Sequence, residues 1–294
     1  RRCGRTVFVS LDGIFNQVNL NSLKNTETGK FVIETQQLIL LGNTREVPEY
    51  KKNAKKPIAK SMWIFANPNY GSANLVPALP GTQKEAEMIK NTMIPLGYKV
   101  GLFTQNQADE KTLKSVSNQG ILHVATHGFF LKDEADDGIE DGLAMGIDET
   151  KAKENPMLRS GLMLANCEAA IQGSDDKSVK KANNGILTAF EASNLNLDKT
   201  AMVVMSACET GLGDVKSGEG VYGLQRAFQV AGADAILMSL WKVNDEATQK
   251  LMSLFYKNLS TGLEKQKALR DAQKALLKTM PHPYFWGAFV LLGI

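Results

Sequence analysis

Short, continuous apolar runs alternate with amphipathic segments along most of this chain. Apolar runs predict strands that are buried on both faces, at 62–66, 99–103, 121–125, 202–205, 235–240 and 285–292. Amphipathic segments predict helices, at 82–96, 110–116, 221–230, 246–259 and 263–278, with a short amphipathic piece at 186–192. Strands and helices in this alternation favour right-handed crossovers and a mainly parallel sheet. We therefore predict an α/β fold.

The first 60 residues follow a different pattern. Short β-rich runs separated by turn formers predict a small N-terminal β-hairpin region, with runs at 6–9, 31–33 and 38–41. Residues 46–60 are rich in Lys, Pro and Asn and predict a surface connection. We therefore expect a hairpin region with its connector over 1–60, and the α/β domain over 61–294.

Three polar or Gly-rich segments interrupt the regular pattern. Residues 129–160 are acidic and Gly-rich, residues 172–184 are polar and charged, and residues 211–220 are rich in Gly. Such compositions predict exposed loops. Plain surface insertions and segments that become ordered or are cut on activation both fit this pattern.

The composition gives expectations about the partners and the cellular compartment of the protein. The chain has 34 basic and 31 acidic residues spread widely, so no electrostatic footprint for nucleic acid stands out. No apolar run is long enough to span a bilayer, and the first residues lack the apolar region of a signal peptide. The three cysteines have no CxxC spacing, which favours a reducing compartment. We expect a cytoplasmic protein, and its first residue, Arg1, suggests a fragment of a longer chain.

Two of the predicted strands end in residues that can carry chemistry. One run leads into His127-Gly128 and the other into Ser206-Ala-Cys208. Reactive groups collect at the carboxyl edge of open parallel sheets, so His127 and Cys208 should face each other if their strands are neighbours. A thiol with a pKa of about 8.5 is mostly protonated at neutral pH, and an adjacent imidazole can take its proton. The pattern predicts an activated cysteine, with the N–H of Gly128 available to stabilise an oxyanion.

Other interpretations of these residues remain open. His123 and His127 would lie on one face of a strand, so a zinc site with Cys208 is conceivable, but no fourth ligand is evident and His123 fits a hydrogen-bonded core residue better. Cys167 lacks a Gly-His partner, and we interpret it as structural. The sequence has no P-loop or dinucleotide fingerprint, so we expect no cofactor.

Several motifs in combination resemble those of a known family. The segments that carry the resemblance are Leu79-Pro-Gly-Thr-Gln-Lys-Glu-Ala-Glu87, His123-Val-Ala-Thr-His-Gly-Phe-Phe130, Ser206-Ala-Cys-Glu-Thr-Gly-Leu-Gly213, Gly218-Glu-Gly-Val221, Ala231-Gly-Ala233, Ser239-Leu-Trp-Lys-Val243 and His282-Pro-Tyr-Phe-Trp286. An apolar block before His-Gly and another before Ala-Cys are typical of the caspase and separase clan. The whole set resembles the CHAT domain, a caspase-like peptidase module commonly found behind tetratricopeptide repeats.

The resemblance implies a fold and a set of site residues. It implies a three-layer caspase-like sandwich, a cysteine endopeptidase with Cys208 and His127 as its dyad, and Gly128 at the oxyanion. By similarity to caspases, the side chain of the P1 residue, which precedes the cleaved bond, would contact Asn67, Ser206, Ser239 and Trp241. Asp245 could add a negative charge there. We expect a small pocket of mixed polarity.

The resemblance also implies partners. The substrate would be a protein, such as a bacterial gasdermin or another defence effector, and an N-terminal repeat region would regulate the peptidase. Neither nucleic acid nor membrane is expected as a direct partner. Because caspase-like folds include inactive relatives, a catalytically inactive interaction module is the main alternative. Such relatives generally lack the His or the Cys, whereas both are present here.

Overall fold

The computed structural model describes residues 6–53, 56–130, 155–172, 183–206, 219–241 and 244–294. Over these residues the central element is an eight-stranded sheet. Its strands are β1 (Thr6–Val9), β2 (Gln37–Leu40), β3 (Ser61–Pro68), β4 (Lys99–Gln105), β5 (Ile121–Ala125), β9 (Met202–Met205), β10 (Ala235–Ser239) and β11 (Phe289–Gly293). A second, three-stranded antiparallel sheet contains β6 (Gly128–Phe130), β7 (Ser160–Met163) and β8 (Ile186–Thr188).

The central sheet is mainly parallel, as predicted. Its strand order is β1-β2-β11-β10-β9-β5-β3-β4, and of its neighbouring pairs only β10 with β11 is antiparallel. Taken alone, β3, β4, β5, β9 and β10 follow the order 2-1-3-4-5 of a doubly wound sheet. Ligands of such sheets bind outside the carboxyl ends of the strands, where the strand order reverses. Here that place lies between β3 and β5.

Helices cover both faces of the sheet, so the three-layer arrangement is confirmed. The helices are α1 (Val32–Thr35), α2 (Val47–Asn53), α3 (Pro80–Met93), α4 (Glu110–Lys114), α5 (Glu168–Ile171), α6 (Ala189–Ala192), α7 (Glu219–Val230), α8 (Asp245–Ser260), α9 (Lys265–Thr279) and α10 (Pro283–Trp286). One core joins α3, α8 and α9 to one face of the sheet, and the other joins α4, α6 and α7 to the opposite face. Strand β3 contributes to both cores, because Ile64 packs in the first core and Phe65 in the second. In the part of the chain described above, no helix is both long and apolar enough to cross a membrane.

The prediction of an N-terminal β-hairpin is wrong. Strands β1 and β2 pair in parallel, which a hairpin turn cannot produce, and β2 pairs with β11, so both strands extend the central sheet. The run at 31–33 forms no strand because helix α1 begins at Val32, where the Glu34 carboxylate accepts the Phe31 N–H at 2.8 Å. The expected connector at 46–60 contains helix α2. The central sheet thus continues across residue 60.

The predicted loops are partly ordered. At the edges of the 129–160 segment, Phe129 belongs to β6 and Ser160 to β7, and both residues are buried. Residues 131–154, 173–182 and 207–218 lie outside the described residues, so the rest of the loop predictions stay predictions. The piece at 186–192 divides into β8 and α6. The last predicted strand begins later, at Phe289, because Pro283–Trp286 forms a helical turn.

Candidate active site

The strands that lead to His127 and Cys208 are neighbours in the sheet. Strand β5 pairs with β9 in parallel, with Val124 opposite Met205, and the N–H of Ser206 donates to Val124 O at 2.9 Å. Both strands end at the same edge because they run in the same direction. The condition on which the predicted His–Cys juxtaposition depended is therefore met. Cys208 itself lies outside the described residues.

His127 is buried at the carboxyl end of β5 and its ring is held on one side. The residue is 3% exposed, and its Nε2 lies 2.7 Å from the backbone oxygen of Pro77. A carbonyl oxygen can only accept, so Nε2 carries the proton and Nδ1 is the basic nitrogen. The Tyr70 ring packs beside the imidazole, with 5.3 Å between ring centroids. This arrangement gives His127 the tautomer that a general base needs.

The loop that supplies the Pro77 carbonyl is fastened by a buried carboxylate. Glu168, the first residue of α5, accepts the N–H groups of Ala73, Leu75 and Val76 at 2.7, 2.7 and 3.0 Å. Burial opposes ionisation, but these backbone donors hold the pKa of the Glu168 carboxyl below its ordinary value. A Cβ at Gly71, whose φ is +146°, would lie 2.6 Å from the Glu168 carboxylate, so that position requires glycine. Glu168 thus fixes the loop on which the orientation of His127 depends.

A buried polar network lies under the end of β9. The Ser206 hydroxyl donates to Glu85 Oε2 at 3.2 Å, and Glu85 Oε1 lies 3.1 Å from His123 Nε2. The other ring nitrogen of His123, Nδ1, lies 3.0 Å from the Tyr256 hydroxyl. Burial, and then the Glu85 charge, raises the pKa of Tyr256 well above its ordinary value, so the phenol keeps its proton. With Tyr256 on one ring nitrogen and Glu85 beside the other, the expectation of a hydrogen-bonded core histidine is confirmed.

Replacement of Tyr256 by Phe tests this network. Tyr256→Phe removes the hydroxyl that bonds to His123 Nδ1 and leaves a buried nitrogen unpaired, so the free energy of unfolding should fall by about 1–3 kcal/mol. Urea denaturation at neutral pH measures the change. The matched control is Tyr284→Phe at a residue that is 41% exposed, which should change stability by less than about 0.5 kcal/mol. Equal stabilities for the two variants would show that the Tyr256 hydroxyl contributes nothing to the network.

One cavity is lined by several of the predicted site residues. It lies over the carboxyl ends of β5 and β9, and its lining includes His127, Ser206 and Asp245. The remaining lining residues are Leu79, Gly81, Thr82, Glu85, Thr126, Thr248 and Gln249. Asp245 begins α8 and packs on the start of α3, because a Cβ at Gly81 would meet its Oδ2 at 2.7 Å. Three residues that the sequence predicted for the site, His127, Ser206 and Asp245, therefore line one cavity.

The other predicted pocket residues and Gly128, the predicted oxyanion residue, lie at the same sheet edge but outside the lining of this cavity. Asn67 takes a left-handed conformation near the end of β3, with φ of 47°, and its N–H donates to Thr82 Oγ1 at 2.9 Å. Ser239 is the last residue of β10 and is 3% exposed. Trp241 donates its indole N–H to Tyr284 O at 3.1 Å. Gly128 begins β6 opposite Leu162, and a Cβ there would make only an ordinary contact with Gly161 O at 3.6 Å.

Comparisons with known proteins identify the family of this chain. The family model of the CHAT domain matches residues 1–294. This chain belongs to the CHAT domain family. Two curated relatives are named tetratricopeptide repeat protein 28, one from Homo sapiens at 36% identity and one from Mus musculus at 34%, each over 110 residues. Each alignment covers 37% of this chain and 4% of the relative, so this CHAT domain matches only a small part of those proteins.

Among solved structures, the CHAT domain is similar to the Arg-specific cysteine proteinase gingipain R. The alignment covers 88% of this chain and 53% of the proteinase, with a TM-score of 0.47 and 10% sequence identity. At that distance the similarity says nothing about activity or substrate.

Three residues that shape the site of this CHAT domain were not predicted. Glu85 and Glu168 are 2% exposed, although glutamates in these positions give no sequence signal of burial, and Pro77 acts through its backbone oxygen. Glu85 does lie in one of the motifs that carry the family resemblance, which could have drawn attention to it. Cys167 is fully buried, and burial together with Glu168 raises the pKa of its thiol to about 12, as expected of a structural cysteine. Over the described ranges, no group of three or more His, Cys, Asp or Glu side chains is arranged to hold a metal ion.

Proposed function

We propose that this CHAT domain is a cysteine endopeptidase in which Cys208 is the nucleophile and His127 the general base. The observation that carries the proposal is the parallel pairing of β5 with β9. The register is one-to-one, with Val124 opposite Met205, and three further residues on each strand would bring His127 level with Cys208. Neighbouring strands lie about 4.8 Å apart, which is within reach of an imidazole and a thiol.

The tautomer of His127 suits this role. Pro77 O holds the proton on Nε2, so Nδ1 can take the proton of the Cys208 thiol as sulfur attacks the peptide carbonyl. The imidazolium then gives that proton to the leaving amine as the C–N bond breaks, and a thioester remains on Cys208. Water attacks the thioester, His127 accepts a proton from it, and the acid product leaves while the thiol is restored. Backbone N–H groups, with Gly128 as the proposed donor, would stabilise the oxyanion in both steps.

Covalent labelling tests the nucleophile directly. The protein is incubated with a peptidyl acyloxymethyl ketone and mapped by mass spectrometry, and we expect one adduct, on Cys208. Cys167 is the internal control, because a buried thiol with a pKa of about 12 should stay unmodified. Cys208→Ala should lose the adduct and keep its fold. Labelling of Cys167 instead, or no adduct under conditions that label papain, would contradict the proposal and favour an inactive interaction module.

The wider role of the domain is also a proposal. The matched relatives are named for tetratricopeptide repeats, which is consistent with a repeat region that controls the peptidase. We propose a protein substrate in a cytoplasmic defence or cell-death pathway, as the family resemblance implies. Cleavage of a candidate effector by the wild type but not by Cys208→Ala would support this role.

A further inference from the structure

We propose that Tyr70 is a positioning residue for His127, whose main chain is held by the Tyr70 hydroxyl and whose imidazole is held by the Tyr70 ring. The inference rests on the proposed function and adds a residue to the same site. Tyr70 lies between β3 and α3, directly before the 71–77 loop, and is 3% exposed. Its side chain packs in a small core that also contains Phe129 and Met163. The hydroxyl and the ring each contact the histidine in a different way.

The Tyr70 hydroxyl belongs to a closed set of hydrogen bonds around His127. The Thr126 hydroxyl donates its one proton to Met163 O, so in the 2.9 Å bond between Tyr70 and Thr126 the phenol is the donor. The phenol oxygen in turn accepts the backbone N–H of His127. The set closes where Met163 N donates to His127 O at 2.8 Å. Tyr70 thereby fastens the main chain of His127 to the end of β7.

The protonation state of Tyr70 keeps these bonds in one direction. Burial raises the pKa of the phenol above its ordinary value, and the hydrogen bonds with Thr126 and His127 lower it by less. The phenol therefore keeps its proton at neutral pH and remains a donor to Thr126. The backbone of Tyr70 is fixed as well, because its carbonyl oxygen accepts the Glu168 N–H at 3.0 Å. The hydroxyl thus has the rigid support that a positioning group requires.

The Tyr70 ring covers one side of the His127 imidazole. The two ring centroids are 5.3 Å apart, with 39° between the ring planes. At this distance the rings attract each other by dispersion, and an aromatic face also attracts a cation such as the imidazolium. Pro77 O holds Nε2 from another direction, at 2.7 Å. The two contacts restrict rotation of the imidazole, so Nδ1 keeps one orientation for the proton transfer of the proposed mechanism.

Two substitutions separate the hydroxyl of Tyr70 from its ring. Tyr70→Phe keeps the ring and should lower kcat for peptide cleavage by about two- to tenfold, the contribution of a hydrogen bond. Tyr70→Leu also removes the ring and should lower kcat by about 10²-fold, the cost of a misplaced catalytic group. KM should stay within about twofold of the wild type in both variants, because Tyr70 holds the histidine and not the substrate. Wild-type kcat in Tyr70→Leu would overturn the inference.

Tyr50→Leu is the matched control for the loss of a buried tyrosine. Tyr50 is 5% exposed and packs against Phe8 in a separate core, with 5.4 Å between the ring centroids. Tyr50→Leu and Tyr70→Leu both lose packing around a buried ring, so urea denaturation should show reduced stability for each. Only Tyr70→Leu should lose kcat. Equal kcat values in the two variants would assign Tyr70 a purely structural role.

Thr126→Val tests the shared hydrogen bonds. The substitution removes the hydroxyl that joins Tyr70 to Met163 O and keeps nearly the same shape. Tyr70→Phe and Thr126→Val interrupt the same set of bonds, so the double variant should lose little more kcat than either single variant. Losses of kcat that multiply would mean that the two hydroxyls act independently, which contradicts the inference. This comparison decides even if Tyr70→Leu fails to fold.

An NMR measurement on Cys208→Ala separates this inference from the proposed function, because it needs no catalysis. The Nε2 proton that His127 donates to Pro77 O should give one signal in nitrogen–proton correlation spectra, assigned by its absence from Cys208→Ala/His127→Gln. Adding Tyr70→Leu should broaden or remove this signal, and adding Tyr50→Leu should leave it unchanged. An unchanged signal in Cys208→Ala/Tyr70→Leu, or no signal in Cys208→Ala itself, would overturn the inference. Absence of peptide cleavage by the wild type would overturn only the proposed function.

Discussion

His127→Ala is expected to lower kcat/KM for peptide cleavage by about 10³-fold, the usual contribution of a positioned general base. In the proposed mechanism, the variant lacks the group that takes the thiol proton and later protonates the leaving amine. Its fold should survive, because the backbone bond between His127 O and Met163 N, at 2.8 Å, does not involve the side chain. Steady-state assays on a peptide that the wild type cleaves provide the measurement.

His127→Gln is the matched control for orientation. Its amide can still donate to Pro77 O, as Nε2 does in the wild type, but it offers no basic nitrogen. We expect it to be as inactive as His127→Ala. Added imidazole should restore part of the activity of the Ala variant and none of the activity of Cys208→Ala. Full activity of either His127 variant would mean that this residue is structural, like His123.

The sequence predicted the middle of the sheet well because local signals sufficed there. Strands β5 and β9 have the predicted bounds, since each is a short, mainly apolar run, with His123 as the polar residue of β5, flanked by polar or small residues. The N-terminal strands were recognised, but their partners were not. Strand β1 pairs with β2 in parallel, and β2 also pairs with β11, which lies more than two hundred residues further along the chain, so no local signal reports this arrangement. Strand β7 was missed because four small and apolar residues between polar segments gave no period to detect.

The site was predictable only where a residue type and a strand end coincide. His127 stands out because a histidine and a glycine follow a buried strand. Glu85 does not, because a glutamate on an amphipathic helix looks like a residue of the solvent face until the fold turns it toward His123. Glu168 likewise looks like a solvent-exposed glutamate in the sequence. Its partners are backbone N–H groups, which no sequence pattern reports. A residue at a strand end, such as His127, is thus easier to predict than a buried carboxylate that holds the surrounding loop, such as Glu168.

Glu168→Ala is expected to lower the free energy of unfolding by about 3 kcal/mol and kcat/KM by about tenfold. Three backbone N–H groups lose a charged acceptor, and hydrogen bonds to charged groups are the stronger kind. The activity falls because the loosened loop no longer holds Pro77 O against His127 Nε2. Urea denaturation and peptide assays measure the two effects. Glu87→Ala, at an exposed position of α3, is the control and should change stability by less than about 0.5 kcal/mol.

The pH dependence of the stability difference between wild type and Glu168→Ala tests whether the ionised Glu168 carboxylate is its cause. The pKa of Glu168 is lower in the folded protein than its ordinary value of 4.5, so the ionised form stabilises the fold. That contribution is complete above the unfolded pKa and is lost as the pH falls through the lower, folded pKa. The stability gap between wild type and Glu168→Ala should therefore be constant from neutral pH down to about pH 5 and narrow below that. A gap of the same size at pH 7 and pH 3 would mean that lost packing, and not the charge on Glu168, holds the 71–77 loop against His127.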